Sequence, residues 1–205
     1  GASDTANGYA LAVSADGKVA VGGSVLGDLT GAGVDKGGAD SFVTVFDSKG
    51  TELWTARRGA TGNDQINAMT FAADGTLVVA GKTDSALGAS LALGGADAYV
   101  RGFSSTGGEL FTKQYGTGRD DSATALLVRD NGSGGLDIYT GGVEDSRGVL
   151  RSFSYASSTG FVAGAKRDIG YFYNGAINSI ATDGTSLYVG GQVGADRLTV
   201  GNTAR

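Results

Sequence analysis

Apolar and polar residues alternate along this chain in short runs, and glycine, asparagine, aspartate and serine separate one run from the next. Runs of this length with a two-residue period predict β-strands, and the polar breaks predict turns. The runs come in groups of four, and the last group is incomplete. The predicted strands are 9–13, 18–22, 41–46 and 52–58; 67–71, 76–81, 98–103 and 109–115; 123–128, 136–141, 149–153 and 161–167; and 176–180 with 186–190.

The groups repeat with a nearly constant period. Gly37 to Gly94 is 94 − 37 = 57 residues, and Glu52 to Glu109 is 109 − 52 = 57 residues. A repeat of this size indicates an array of like modules that bury their apolar faces against one another. We therefore predict a single domain over 1–205, built from modules at about 4–59, 60–116, 117–168 and 169–205, the last one incomplete.

The composition of the four strands changes in a regular way across each module. The first strand is small and apolar, the third carries aromatic residues, and the fourth carries charges. Such a module widens from a crowded axis to a solvated rim, as a propeller blade does. We predict an all-β fold, a partial β-propeller of about three and a half four-stranded antiparallel blades. The residues expected to pack between blades are Trp54, Phe111, Phe42, Phe46, Tyr99, Phe103 and Phe153.

The connections between first and second strands suggest tight hairpins. Asp16-Gly17, Asp74-Gly75 and Asp183-Gly184 each precede a second strand. An Asp-Gly pair favours a two-residue turn, because both residues tolerate a positive φ. In the third module a longer loop, 130–135, takes this place.

Three motifs resemble the bacterial β-propeller repeats of the SBBP type. These are A-x-A-V-x-x-D-G-x-x-x-V-x-G, then "GGADSFV" and "GGADAYV", then "GTELWT" and "GGELFT". The third module departs from the pattern, since "EDSRGVLRSFS" replaces its "GGAD" segment. The resemblance implies a ring of about seven or eight blades on an exported or cell-surface protein, with no catalytic residues.

Composition excludes several kinds of chemistry. The chain has no cysteine and no histidine, and its net charge is −5. Thiolate and histidine-dependent catalysis therefore lack their central residue, and phosphate binding lacks a positive field. We expect no nucleic-acid partner. We expect no membrane insertion either, because no apolar run approaches the length of a spanning helix.

Three and a half modules leave a ring open, and open blade faces promote aggregation. We therefore expect that the chain is part of a longer one, and that further blades, another copy or another chain completes the ring.

Four aspartates are the strongest candidates for a metal site. Asp40 and Asp97 end the two "GGAD" segments, whereas Asp64 and Asp121 precede first strands. Aspartate at a strand entry usually accepts hydrogen bonds from its own loop backbone, and this interpretation is favoured over calcium binding by oxygen ligands. No other cofactor is predicted. The basic pairs Arg57-Arg58 and Lys166-Arg167 are expected to be a solvated edge, with a rim for polyanions as the alternative.

The expected function is a non-catalytic propeller scaffold that binds a protein or a glycan through its loops, located outside the cell or on the bacterial surface. Two alternatives stay open. One is a polysaccharide hydrolase or lyase that uses paired carboxylates. The other is a structural module of a filament or flagellum-linked assembly.

Overall fold

The computed structural model describes residues 2–29, 32–33, 35–169 and 175–192. In this part of the chain the fold is all-β, with fourteen strands and no helix. The strands are β1 (Ala6–Val13), β2 (Val19–Val25), β3 (Asp40–Phe46), β4 (Glu52–Arg58), β5 (Asp64–Phe71), β6 (Leu77–Thr83), β7 (Asp97–Phe103), β8 (Glu109–Tyr115), β9 (Ser122–Asp130), β10 (Leu136–Glu144), β11 (Arg147–Ala156), β12 (Gly160–Asp168), β13 (Ala176–Thr182) and β14 (Leu187–Gln192).

The strands form four separate antiparallel sheets, in which neighbours in sequence are neighbours in space. We number the sheets in chain order: sheet one is β1-β2-β3-β4, sheet two β5-β6-β7-β8, sheet three β9-β10-β11-β12, and sheet four the pair β13-β14. No sheet closes on itself among the described residues. All fourteen predicted strands are present. The predicted trailing stretch at 198–200 lies outside the described residues.

Successive sheets pack face to face and bury a hydrophobic core between each pair. Val43 and Val45 of sheet one share a core with Met69 and Tyr99 of sheet two. A second core joins sheets two and three, and a third joins sheets three and four. The sheet between two cores is covered on both faces, so every residue of β7 is buried. This explains why apolar residues occupy both sides of the third strands.

The first strands of successive sheets contact one another in the order β1, β5, β9, β13. Each first strand contains a β-bulge, and in β5 and β9 the bulged residue reaches the next first strand. The Asn67 Nδ2 group of β5 donates to the Ala123 carbonyl of β9 at 2.9 Å. The Thr124 hydroxyl of β9 donates to the Ile177 carbonyl of β13 at 2.5 Å. These bonds fix how neighbouring sheets approach at their first strands.

The prediction of two-residue Asp-Gly turns is wrong. The Ser14 amide donates to the Lys18 carbonyl and the Gly17 amide to the Ser14 carbonyl, so the loop is longer. Only its glycine has a positive φ, of 84°, as in a type I turn that ends in a glycine bulge. The tight hairpin is instead Asp145-Ser146, where both residues have positive φ and Glu144 pairs with Arg147.

Candidate functional site

All four candidate aspartates are buried, with side chains at the entry of a strand. Asp40 and Asp97 are fully buried, and Asp64 and Asp121 are 1% exposed. Each accepts a hydrogen bond from the backbone amide four residues earlier in the chain. The donors are Lys36 for Asp40 at 3.1 Å, Leu93 for Asp97 at 2.8 Å, Ala60 for Asp64 at 2.8 Å and Thr117 for Asp121 at 2.5 Å. The loop-bonding interpretation of these residues is therefore confirmed.

The structure brings the aspartates together in two pairs, each formed by adjacent sheets. We call them the first and second aspartate junctions: Asp40 with Asp64, and Asp97 with Asp121. A glycine lies between the carboxyls of each pair, and a Cβ on Gly116 would be 2.6 Å from both Asp97 Oδ1 and Asp121 Oδ2. Glycine is required there because a side chain would displace the carboxylates.

The first aspartate junction contains a buried cation. The Nε group of Arg57 donates to Asp40 Oδ2 at 2.5 Å, and its Nη2 lies 2.9 Å from Asp35 Oδ1. Its Nη1 donates to the Gly27 carbonyl. The side chain of Arg57 is 1% exposed. The expectation that Arg57 belongs to a solvated edge or a polyanion rim is therefore wrong, because its side chain is buried and paired with Asp40 and Asp35.

The second aspartate junction replaces this arginine with a neutral amide. Gln114 Nε2 donates to Asp97 Oδ2 at 2.7 Å, while its Oε1 accepts from the Leu87 amide at 2.8 Å. Asp97 Oδ1 is buried and has no donor among the described residues, and the same holds for Asp40 Oδ1 and Asp64 Oδ1 in the first junction. In the second junction, two buried carboxyls thus face each other without a direct cationic partner, which costs free energy when both are ionised.

The pKa values reflect this burial. Burial raises the pKa of Asp64 and the nearby Asp40 carboxylate adds to the rise, whereas hydrogen bonds from Thr83 and Ala60 oppose it. Burial also raises the pKa of Asp121, with a smaller contribution from Glu144. In each pair, therefore, the aspartate of the later sheet holds its proton to a higher pH than an exposed aspartate does.

Each junction brings only two carboxyl groups together. The described residues contain no group of three or more histidine, cysteine, aspartate or glutamate side chains arranged to hold a metal ion. Calcium usually takes six to eight oxygen ligands, so a junction would have to supply most of them from the backbone or from water. Calcium binding therefore stays the less favoured alternative for these aspartates.

Among the residues that the structure describes, no aspartate pair lies between sheets three and four. Arg147 stands at the start of β11, where Asp40 starts β3 and Asp97 starts β7. On the other face of sheet three, toward sheet two, a buried Glu144 binds Arg151 through two bonds and Lys166 at 3.3 Å, and the Arg151 guanidinium lies over the Tyr115 ring of sheet two. Sequence reasoning did not single out Glu144. It missed the residue because a charged residue at a strand end is normally exposed.

A polar cleft of about 540 Å³ opens beside the second aspartate junction, between sheets two and three. Its lining includes Gln65, Asn67, Lys82, Asp84, Asp120 and Thr124. Asp84 and Ala96 of this lining bound the long β6–β7 connection, which carries two exposed apolar side chains. Leu91 is 79% exposed and Leu93 is 48% exposed. This end of the molecule combines hydrogen-bonding groups with exposed apolar side chains.

The aromatic residues predicted to pack between sheets occupy two kinds of position. Trp54 of sheet one contacts Phe103 of sheet two, with ring centroids 5.8 Å apart, and its Nε1 donates to the Ser105 carbonyl. Phe111 of sheet two packs on two rings of sheet three. Tyr99, Phe103, Phe111 and Phe153 are buried, whereas Trp54, Phe42 and Phe46 are half-buried.

No family model matches the chain. Its sequence is 35% identical over 240 aligned residues to the regulatory protein FlaEY of Caulobacter vibrioides. The alignment covers 98% of this chain, but the chain spans only about a quarter of the length of that relative, 25%. In the described part of the chain there is no helix that is long and apolar enough to cross a membrane.

Proposed function

We propose that the chain is a non-catalytic binding module whose sheets stand around a common axis, as the blades of a β-propeller do, and whose loops at one end bind a partner protein. The observation that carries the proposal is the packing of the first strands. β1, β5, β9 and β13 contact one another in chain order, and in every complete sheet the strands follow one another in chain order from the first to the fourth. Innermost strands that line a shared axis are typical of propellers.

The loops beside the polar cleft supply the chemistry of a protein-binding surface. Protein interfaces combine a few apolar anchors with a polar rim. Leu91 and Leu93 are such anchors, and the amides, hydroxyls and carboxylates of the adjacent cleft form the rim. Loops on a rigid sheet scaffold commonly carry binding residues.

The likeness to a protein named as regulatory supports a binding role over a catalytic one. The location outside the cell or on the bacterial surface, which the SBBP resemblance implies, belongs to the same proposal. The proposal also includes a contact with a single partner at one end of the module. The long β2–β3 and β6–β7 connections lie together at that end, since each leads into an aspartate junction.

Selection from a peptide-display library against the immobilised chain tests this proposal. Peptides that bind the wild-type chain should bind the Leu91→Asp/Leu93→Asp variant at least about tenfold more weakly, because two anchors are lost. Leu53→Asp is the matched control: Leu53 is 46% exposed but lies in β4, away from the cleft.

Three outcomes contradict the proposal. Peptides that bind the Leu91→Asp/Leu93→Asp variant as well as they bind the Leu53→Asp control would show that the β6–β7 loop is not the binding surface. Binding on an oligosaccharide array, with no enriched peptide, would assign the cleft to glycans. Release of new reducing ends from a polysaccharide panel would show that the module is an enzyme.

A further inference from the structure

The outer face of sheet one exposes apolar side chains at positions that are covered in the later sheets. Leu11 is 63% exposed and Val13 is 60% exposed. Leu11 of β1, Met69 of β5 and Ile180 of β13 each pair with the same position of the second strand in their own sheet. The three residues are therefore equivalent. Met69 is 8% exposed, since it lies against sheet one.

A small residue in the second strand of the preceding sheet makes room for each of these side chains. A Cβ built on Gly22 of β2 would collide with the Cε atom of Met69. A Cβ on Gly141 of β10 would collide with Ile177 and would lie 3.2 Å from Ile180 Cδ1. The junction between sheets one and two and the junction between sheets three and four therefore share one geometry, in which an apolar side chain of a first strand covers a small residue of the previous sheet.

In sheet four, the described part of the chain leaves the position equivalent to Gly22 and Gly141 uncovered. This position is Gly190, which pairs with Ser179 as Gly22 pairs with Ala10. Gly22 and Gly141 are buried, whereas Gly190 is exposed. Among the described residues, the only side chain within 4 Å of a Cβ on Gly190 is Ser179 of its own sheet.

We propose that two copies of this chain associate head to tail, with Leu11 and Val13 of one copy packed over Gly190 of the other. The two surfaces are the two halves of the junction that the chain already makes between its own sheets. The inference rests on the proposed radial arrangement, and it names a second copy as the occupant of the outer face of sheet one. Contacts between two different surfaces close into a ring where the rotation between copies allows it.

Cross-linking between two singly substituted proteins tests the pairing. The wild-type chain contains no cysteine, so each substitution introduces the only thiol. A mixture of the Leu11→Cys protein and the Gly190→Cys protein, treated with a short bis-maleimide, should form covalent dimers. Either protein alone should form few, and the mixture of Leu53→Cys with Gly190→Cys is the matched control.

Two results overturn the proposal. Covalent dimers in the Leu11→Cys protein alone, as abundant as in the mixture, would mean that the surfaces pair symmetrically. An absence of dimers in every sample, across the concentration range, would mean that the copies do not associate.

Sedimentation provides a measurement without cross-linking. Leu11→Asp should weaken association at least about tenfold, because a charge replaces an apolar side chain at the contact. Leu53→Asp should leave it unchanged. Leu11 is exposed, so circular dichroism should show both variants folded as the wild type is; equal association of both variants would contradict the proposal.

An intramolecular cross-link separates failure of this inference from failure of the proposed function. In a Gly22→Cys/Met69→Cys variant, the same reagent should join two residues of a single chain across the junction between sheets one and two. If this link forms and the intermolecular one does not, self-association is wrong and the proposed arrangement of the sheets stands. If neither forms, the sheet arrangement itself is wrong.

Discussion

The two aspartate junctions have the same backbone and different electrostatics. In both, a carboxyl at the start of a third strand lies near a carboxyl at the start of the next sheet. Each carboxyl accepts a hydrogen bond from the backbone amide four residues earlier in the chain. In the first junction the fourth strand contributes Arg57, and in the second it contributes Gln114. One loop geometry is thus stabilised once by a buried ion pair and once by a neutral amide.

The difference shows that the hydrogen bonds define the junction and that the charge is an optional addition. Both Arg57 and Gln114 reach Oδ2 of the strand-entry aspartate. Removing one partner of a buried ion pair strongly destabilises a protein, whereas a neutral hydrogen bond contributes about 1 kcal/mol to stability. Substitutions at equivalent positions should therefore have very different effects in the two junctions.

The largest effect is expected for the aromatic contact that accompanies the neutral junction. Phe111 packs on Tyr155 and Phe161 at centroid distances of 4.5 and 5.0 Å. Phe111→Ala should lower the free energy of unfolding by about 4 kcal/mol, since a buried ring is removed. Trp54→Ala, at the half-buried equivalent position, should cost less in the same urea titration. An equal loss would mean that the two sheet contacts depend on aromatic packing to the same degree.

Arg57→Gln, which gives the first junction the side chain of the second, should destabilise the chain by about 3 kcal/mol, because it leaves Asp40 without its buried cation. Urea denaturation measures this loss. Arg58→Gln is the control, since the Arg58 side chain is 37% exposed and its ion pair should contribute less than about 1 kcal/mol. Similar small losses for both variants would show that Arg57 is replaceable.

Asparagine substitutions at the strand-entry aspartates should have opposite signs. Asp97→Asn should stabilise the chain by about 1 kcal/mol, because it removes one of two buried charges that have no direct cationic partner. Asp40→Asn should destabilise it by about 2 kcal/mol, since the Arg57 guanidinium loses its anion. Thermal and urea unfolding of both variants measure the signs, and a loss in both would indicate that Asp97 is stabilising as an anion.

The smallest effect is expected in the pH dependence of stability. Burial raises the pKa of Asp121 above its unfolded value, so its contribution is fully present below about pH 4 and is lost as the pH rises through the folded pKa. The stability of the wild type relative to Asp121→Asn should therefore fall with rising pH. Unfolding titrations between pH 3 and pH 7 measure this trend.

Asp47 provides the opposite case for the same titrations. Backbone hydrogen bonds from Thr51 and Lys49 lower the pKa of Asp47. Its contribution is present above about pH 4 and is lost as the pH falls through the folded pKa. The stability of the wild type relative to Asp47→Asn should therefore rise with rising pH. If both comparisons show the same trend with pH, burial does not raise the pKa of Asp121.

Calcium has a separate test. If the aspartate junctions bind it in the folded state only, millimolar calcium must raise the melting temperature. That rise should be absent in Asp97→Asn/Asp40→Asn, which lacks a carboxylate at each junction. No rise in the wild type would exclude the metal.

Much of the fold could be predicted from the sequence, because strand position depends on local patterns. The alternation in 41–46 and 98–103 and the polar breaks around them locate β3 and β7 to within one residue of their observed ends. The turns were predicted less well. Asp16-Gly17 was expected to form a two-residue turn, yet Asp145-Ser146 forms one, because hairpin length depends on strand register as well as on turn residues.

The sequence by itself determined the strands, their grouping in fours and the aspartates at the start of the third strands of the first two groups. These features depend on side-chain alternation and turn preference within a few residues. Only the tertiary structure decided that Asp40 meets Asp64, that Arg57 is buried between aspartates and that Leu11 is left exposed. Those outcomes depend on which sheet lies against which. Burial and ionisation follow from neighbours that are distant in sequence, and the local pattern does not contain them.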